Sequence, residues 1–131
     1  MKNIGIIAKN IPKAQKAAKQ LAKWLSVRGK HVLLDSDTAA AINMPGHERA
    51  DMPSRVEMLI VLGGDGTLLS AARLVADARA DVPIFGVNIG SLGFMAELSL
   101  DEMYDNIEKA MAGRLQTEDR KIGRASCRER V

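Results

Sequence analysis

Residues 63–67, Gly-Gly-Asp-Gly-Thr, combine the residue types that phosphate chemistry requires. They follow a strongly apolar stretch at residues 56–62 and precede residues with the apolar spacing of a helix. Glycines allow a backbone to approach a phosphate without an intervening Cβ, and the unpaired N–H groups at a helix start favour an anion. An aspartate among phosphates can accept a proton from an attacking hydroxyl group or help to hold Mg²⁺. The segment therefore predicts a phosphate site with Asp65 as a candidate base, since a plain tight turn would require neither the strand nor the helix.

A second glycine-rich segment, residues 88–97 with the sequence NIGSLGFMAE, follows the apolar stretch at residues 82–87. The carboxyl ends of parallel strands share one edge of a sheet, so this segment is expected on the same edge as Asp65. Phe94 carries a flat apolar ring that can pack against a base. A phenylalanine alone is more typical of a core, but together with the first segment it favours a nucleotide pocket.

Two widespread phosphate motifs are missing from the sequence. There is no GxxxxGK segment followed by Ser or Thr, and no lysine between His31 and Glu108, which argues against the phosphate-binding lysine of P-loop enzymes. The first predicted strand is followed by residues 9–12 (KNIP) rather than by GxGxxG, which argues against a hydride-transferring dinucleotide fold. Phosphate is therefore expected to be held by backbone groups, by metal and by residues outside this chain.

The elements that must position these segments alternate between strands and helices. Apolar runs predict strands at residues 4–8, 32–34, 56–62 and 82–87. Helical spacing and end signals predict helices at residues 12–29 and 68–79, and from a capping box at Ser99 and Glu102 to about Gly113. Residues 35–55 show the least pattern. The alternation predicts the α/β class, with an open, doubly wound (Rossmann-like) parallel sheet.

The composition indicates a globular domain. The chain has 131 residues, 47% of them hydrophobic, and a net charge of +3. No apolar run approaches the roughly 18 residues of a membrane span, no signal peptide is recognisable, and Cys127 is the only cysteine. We therefore expect a cytoplasmic protein with neither a disulfide nor a membrane partner. The lysine-rich residues 12–28, with Trp24 as their only aromatic residue, are more typical of a solvated helix face than of nucleic-acid binding.

The two glycine-rich segments together resemble the NAD kinase family. GGDG is shared with the more distant diacylglycerol, sphingosine and 6-phosphofructokinase relatives, whereas NIGSLGF matches the N-x-G-x-L-G-F loop that singles out NAD kinases. The resemblance covers roughly residues 1–121 and implies the N-terminal domain fold of the NAD kinase and diacylglycerol kinase type. It also implies transfer of a phosphoryl group from ATP or another donor, with Mg²⁺, to the 2′-hydroxyl of the adenosine ribose of NAD, which gives NADP.

The resemblance also assigns roles by position. Asp65 would be the base that takes the 2′-hydroxyl proton, and Gly66 would lie against the nucleotide. Leu69 and Phe94 would form walls of the adenine pocket, with Met95 as a further contact. Ser70 stands where some relatives carry a basic residue. No metal-ligating residue is assigned, and the residues expected to bind phosphate are Gly63, Gly64, Gly66 and Thr67.

The family further implies a β-rich second domain with an Asn-Glu pair and a threonine- and glycine-rich phosphate loop. The sequence contains no Asn-Glu dipeptide and no such loop after Gly113. We expect residues 1–121 to form the N-terminal domain, residues 122–131 to be a non-native or disordered basic tail, and the chain alone to have little or no kinase activity. The full-length parent is expected to form a homo-oligomer. A lipid or sugar kinase that shares GGDG, and a non-catalytic nucleotide-binding module, remain open as alternatives.

Overall fold

Strands and helices alternate along the chain, as the sequence predicts. A computed structural model describes residues 2–89 and 100–111. The described strands are β1 (Asn3–Ala8), β2 (His31–Leu34), β3 (Met58–Gly63) and β4 (Ile84–Asn88). The described helices are α1 (Pro12–Val27), α2 (Ser36–Ala41), a 3₁₀ helix (Arg49–Ser54), α3 (Asp65–Asp77) and α4 (Leu100–Met111).

The strands form one parallel sheet in the order β2-β1-β3-β4. Ile6 of β1 is the register partner of Leu34 on one side and of Ile60 on the other. From β1 the chain moves outward to β2 and then crosses to the opposite side of β1 to form β3. The strand order therefore reverses between the carboxyl ends of β1 and β3, which is where open α/β sheets bind their ligands.

Helices cover both faces of this sheet. Ile6 packs in one buried cluster with Leu21 of α1, whereas its neighbour Ile7 packs in a second cluster with Val75 of α3. Because both faces are buried, β1 and β3 have continuous rather than alternating apolar sequences. The arrangement confirms the predicted α/β class with a doubly wound, Rossmann-like parallel sheet.

Helix α4 lies against α1 through an aromatic and ionic contact. The rings of Trp24 and Tyr104 have centroids 4.9 Å apart. The Arg28 guanidinium lies 3.8 Å above the Trp24 ring, and its Nη2 is 3.4 Å from Glu108 Oε2. This contact joins the amphipathic faces of the two helices on the same side of the sheet.

The start of one helix differs from the sequence prediction. Helix α3 begins at Asp65 rather than near Leu68, so the aspartate belongs to the first helical turn. Helix α1 begins at Pro12, as predicted; its N-cap residue is Ile11, and the Asn10 side chain accepts a hydrogen bond from Gln15 Nε2 at 2.6 Å.

The segment at residues 35–55 holds more structure than its sequence suggests. It contains α2 and the 3₁₀ helix, both of six residues, which are too short to show a hydrophobic period. The predicted helix near residues 99–113 is confirmed as α4, while Ser99 of its predicted capping box lies outside the described residues. Within the described ranges, no helix combines the length and apolar character needed to cross a membrane.

Candidate functional site

A cleft of about 410 Å³ opens where the strand order of the sheet reverses. The end of β1 contributes Ala8, Lys9 and Asn10 to its lining. The 3₁₀ helix contributes Arg49. The start of α3 supplies the remaining lining residues, which are Gly64, Asp65, Gly66, Thr67 and Ser70.

The N-terminus of α3 points its first turn into this cleft. Gly64 is the N-cap residue with extended backbone angles, and helical hydrogen bonding begins with the bond from Leu68 N to Gly64 O at 3.1 Å. The amides of Gly66 and Thr67, in the first turn, therefore have no acceptor within the helix. Together with the helix dipole, these amides favour an anion in the cleft.

Gly63 and Gly66 differ in the space that a Cβ would have at each position. A Cβ at Gly63 would lie 2.7 Å from Thr67 Oγ1 and 3.1 Å from Lys9 Cβ, so packing requires a glycine there. A Cβ at Gly66 would meet no atom within 4 Å, and the φ of Gly66 lies outside the left-handed region. Neither packing nor backbone geometry within the described residues accounts for Gly66, which faces the open cleft.

Asp65 is half-buried and lies in the lining of the cleft. Leu69, the next candidate along α3, is 54% exposed and does not belong to the lining. Ser70 does line it. The structure thus brings Gly64, Asp65, Gly66 and Thr67 together and leaves Leu69 as an exposed apolar side chain beside them.

The second glycine-rich segment begins beside the first. Gly63 and Asn88 are register partners at the carboxyl ends of β3 and β4, and Ile89 N donates to Gly63 O at 2.9 Å. The start of the second segment therefore lies on the predicted edge of the sheet. Phe94 and Met95 lie outside the described residues.

The basic side of the cleft, formed by Lys9 and Arg49, was not predicted from the sequence. A signal for Lys9 was available, because it follows a buried strand whose carboxyl end shares an edge with β3. No local pattern indicates Arg49, since its position depends on a residue fourteen positions earlier in the chain. Among the described residues that line the cleft, Lys9 and Arg49 are basic and Asp65 is the only carboxylate.

The partner of Arg49 is Asp35, which is fully buried. Arg49 Nε donates to Asp35 Oδ2 at 3.1 Å, and Nη2 lies 3.1 Å from the same oxygen. The Thr38 hydroxyl donates to Asp35 Oδ1 and accepts a hydrogen bond from Ala8 N at 3.3 Å. This network connects the guanidinium to the end of β1.

Most of the chain matches a family of known proteins. The family model described as the ATP-NAD kinase N-terminal domain matches residues 4–115. The chain belongs to the NAD kinase family. The match includes both glycine-rich segments and every residue of the cleft.

Curated NAD kinases from three bacteria show the same relationship. The chain is 45% identical to the NAD kinase of Syntrophotalea carbinolica over 123 residues, which cover 92% of this chain and 42% of that protein. It is 42% identical to the NAD kinase of Geotalea daltonii over 128 residues, covering 96% and 44%. For the NAD kinase of Geobacter sulfurreducens the identity is 43% over 122 residues, covering 92% and 42%. The chain thus spans less than half the length of these NAD kinases.

Proposed function

We propose that this chain is the N-terminal part of an enzyme that transfers a phosphoryl group from ATP to the 2′-hydroxyl of the adenosine ribose of NAD. The observation that carries the proposal is Asp65 in the first turn of α3, within a cleft at the reversal point of the sheet. A carboxylate, backbone amides without a helical acceptor and two basic residues line one cavity there, which supports phosphate chemistry. Membership of the NAD kinase family supports NAD as the acceptor and ATP as the donor.

In this reaction Asp65 accepts the proton of the 2′-hydroxyl group. The ribose oxygen forms a bond to the γ-phosphorus of ATP as the bond from that phosphorus to the β-phosphate oxygen breaks, and ADP leaves. The backbone of Gly64, Gly66 and Thr67 holds phosphate oxygens against the positive end of α3. Gly63 does not line the cleft but allows the close approach of this turn to the end of β3.

The adenine of NAD would pack against apolar side chains beside this centre. The candidates are Leu69, Phe94 and Met95. The 54% exposure of Leu69 supports its assignment, because an exposed apolar side chain one helical turn after Asp65 is available to a flat base. Gly66 would let the nucleotide lie directly on the backbone, which would account for a glycine that packing does not require.

The residues of the cleft fit a magnesium ion that arrives with a nucleotide. Mg²⁺ is commonly bound by one or two carboxylates together with substrate phosphates. Asp65 supplies one carboxylate, and no cluster of three potential ligands occurs in the described part of the chain. When bound, the ion would neutralise charge on the phosphates, while Asp65 would remain the residue that moves the proton.

We expect the remaining half of the site to come from a second, β-rich domain. The NAD kinases compared above are more than twice as long as the part this chain covers, which supports an incomplete site in residues 1–121. The chain alone should therefore have little or no kinase activity. The full-length parent would act in the cytoplasm as a homo-oligomer.

The test is Asp65→Asn in a polypeptide that also carries the remaining length of the family. Formation of NADP from NAD and ATP should fall by at least about a hundredfold, while NAD affinity stays near normal, because the substitution removes the base and keeps the shape. Unchanged turnover would refute Asp65 as the base. Phosphorylation of diacylglycerol or a sugar instead of NAD would favour a related kinase, and nucleotide binding without turnover would favour a binding module.

A further inference from the structure

Arg49 is held at the cleft in a way that leaves part of its guanidinium available. Its side chain is 36% exposed and lines the cavity, while one edge of the group faces Asp35 Oδ2. A guanidinium carries five N–H donors in a planar fork, more than one carboxylate oxygen can engage. The donors directed away from Asp35 can therefore bind a second anion in the cleft.

The buried carboxylate fixes this orientation. Asp35 has no exposed side-chain surface, and a buried charge without a partner is strongly unfavourable. The guanidinium must therefore stay close to it. Thr38 connects Asp35 to the backbone of Ala8 in β1, so the network anchors Arg49 to the sheet rather than to a free loop.

Lys9 supplies a second cation from a different element. Its backbone N–H donates to Leu62 O at 2.8 Å, which keeps this residue paired with β3 just beyond the end of β1. Lys9 is exposed, is one of the residues that line the cleft, and forms no ion pair with any carboxylate within residues 2–89 and 100–111. Two cations from separate elements thus border the cavity that contains the first turn of α3.

We propose that Arg49 and Lys9 form a subsite for a diphosphate group in the same cleft as Asp65, and that Asp35 is the positioning residue for Arg49. Two separated cations and a helix N-terminus suit an anion of several charges that extends over more than one phosphorus. The proposal rests on the proposed function for the identity of the ligand, which is either the β,γ-diphosphate of ATP or the central diphosphate of NAD. It differs from the expectation that phosphate is held by backbone groups, by metal and by residues outside this chain.

The test measures binding of inorganic pyrophosphate to the 131-residue chain by calorimetry at low ionic strength. Arg49→Gln should weaken binding by about tenfold or more, because it removes charge-assisted hydrogen bonds. Lys9→Gln should weaken it by about two- to fivefold, as expected for an exposed cation. The matched controls are Arg55→Gln, at the end of the same 3₁₀ helix, and Lys13→Gln in the first turn of α1, neither of which lines the cleft.

The positioning role of Asp35 is tested with a second set of variants. Asp35→Asn should weaken pyrophosphate binding in the wild-type background and have no further effect in the Arg49→Gln background, because its influence passes through the guanidinium. Arg49→Lys should restore part of the affinity lost in Arg49→Gln. Thermal unfolding of every variant shows whether it is folded at the titration temperature. If Asp35→Asn is not folded at that temperature, the comparison of Arg49→Lys with Arg49→Gln still tests the role of the guanidinium.

Parallel titrations with ATP and with NAD identify the source of the diphosphate, since the affinity of only one should depend on Arg49. Wild-type affinity for pyrophosphate in both Arg49→Gln and Lys9→Gln, or no binding to the wild-type chain at millimolar concentration, would overturn the subsite. Loss of turnover in Asp65→Asn would then still support the proposed kinase. Conversely, Arg49-dependent binding of pyrophosphate without any NAD phosphorylation in the longer polypeptide would refute the kinase and leave the subsite intact.

Discussion

Gly63, the last residue of β3, lies directly against Thr67 in the first turn of α3. A Cβ built on Gly63 would approach Thr67 Oγ1 to 2.7 Å and Lys9 Cβ to 3.1 Å. The close approach brings the end of β1 and the start of α3 together around one point. The phosphate-binding turn and the nearby lysine therefore depend on the absence of a side chain at this position.

Gly63→Ala should destabilise the domain. The new methyl group cannot move away from the backbone that carries it, so Thr67 or Lys9 must shift, and overpacking of this kind costs about 1–3 kcal/mol. The free energy of unfolding in urea, compared with wild type, measures the effect. A variant as stable as wild type would show that the turn can adjust, and would remove the packing explanation for Gly63.

Gly66→Ala should keep the stability of the domain and lower its affinity for nucleotide. A Cβ there meets nothing within 4 Å, and alanine is favoured over glycine in a helix by about 0.5–1 kcal/mol, so the variant should be at least as stable as wild type. Its affinity for nucleotide should nevertheless fall, because the methyl group occupies the space in which the nucleotide would lie on the backbone. Unfolding and calorimetric titration with ATP and NAD together check this prediction. Unaltered affinity for both ligands would argue against a nucleotide contact at Gly66.

The sheet and its central segment could be predicted because their signals are local. Continuous apolar runs at β1, β3 and β4, each followed by polar or glycine-rich residues, indicate buried parallel strands without any tertiary information. The GGDGT segment combines a strand end and a helix start in five residues. Since carboxyl ends of parallel strands share an edge, the proximity of Gly63 to Asn88 followed from the fold class alone.

The cationic side of the cleft could not be predicted in the same way. Arg49 reaches the cleft because it pairs with Asp35, which is buried at the end of β2. Neither the burial of Asp35 nor its ion pair with Arg49 produces a periodic pattern in the sequence. The start of α3 at Asp65 was also not predicted, because the glycines there have a low helix propensity and interrupt the apolar spacing that indicates a helix. The unpredicted features are thus those that depend on contacts between distant segments.

The pH dependence of stability should have a contribution from Glu57, just before β3. Its carboxylate accepts hydrogen bonds from the backbone N–H of Lys2 and from that of Asn3, the latter at 3.0 Å. These bonds hold the pKa of Glu57 below its ordinary value of 4.5. The stabilisation is therefore fully present above the unfolded-state pKa and is lost as the pH falls through the lower folded-state pKa.

Glu57→Gln should thus be less stable than wild type at neutral pH and should approach wild-type stability in acid. Thermal unfolding at several pH values measures the difference, with the exposed Glu48→Gln as the control of the same chemical type. A difference that stays constant between neutral and acidic pH would show that Glu57 acts through packing rather than through its charge.

Ser70 offers a test of the cleft by gain of affinity. It is exposed on α3 and lines the cavity, so an arginine at this position adds a cation within reach of a bound anion without displacing a core residue. Ser70→Arg should raise the affinity for pyrophosphate by about two- to fivefold at low ionic strength, the magnitude typical of an exposed ion pair. Most of the gain should disappear at about 0.5 M salt, because exposed charges are screened.

Ser26→Arg, on the exposed surface of α1 and outside the cleft, is the matched control and should leave the affinity unchanged. An equal gain in both variants would mean that pyrophosphate responds to net charge alone. A gain confined to Ser70→Arg would show that the anion binds beside the first two turns of α3. That position is within the cavity that Asp65 and Arg49 share, as the proposed transfer of a phosphoryl group requires.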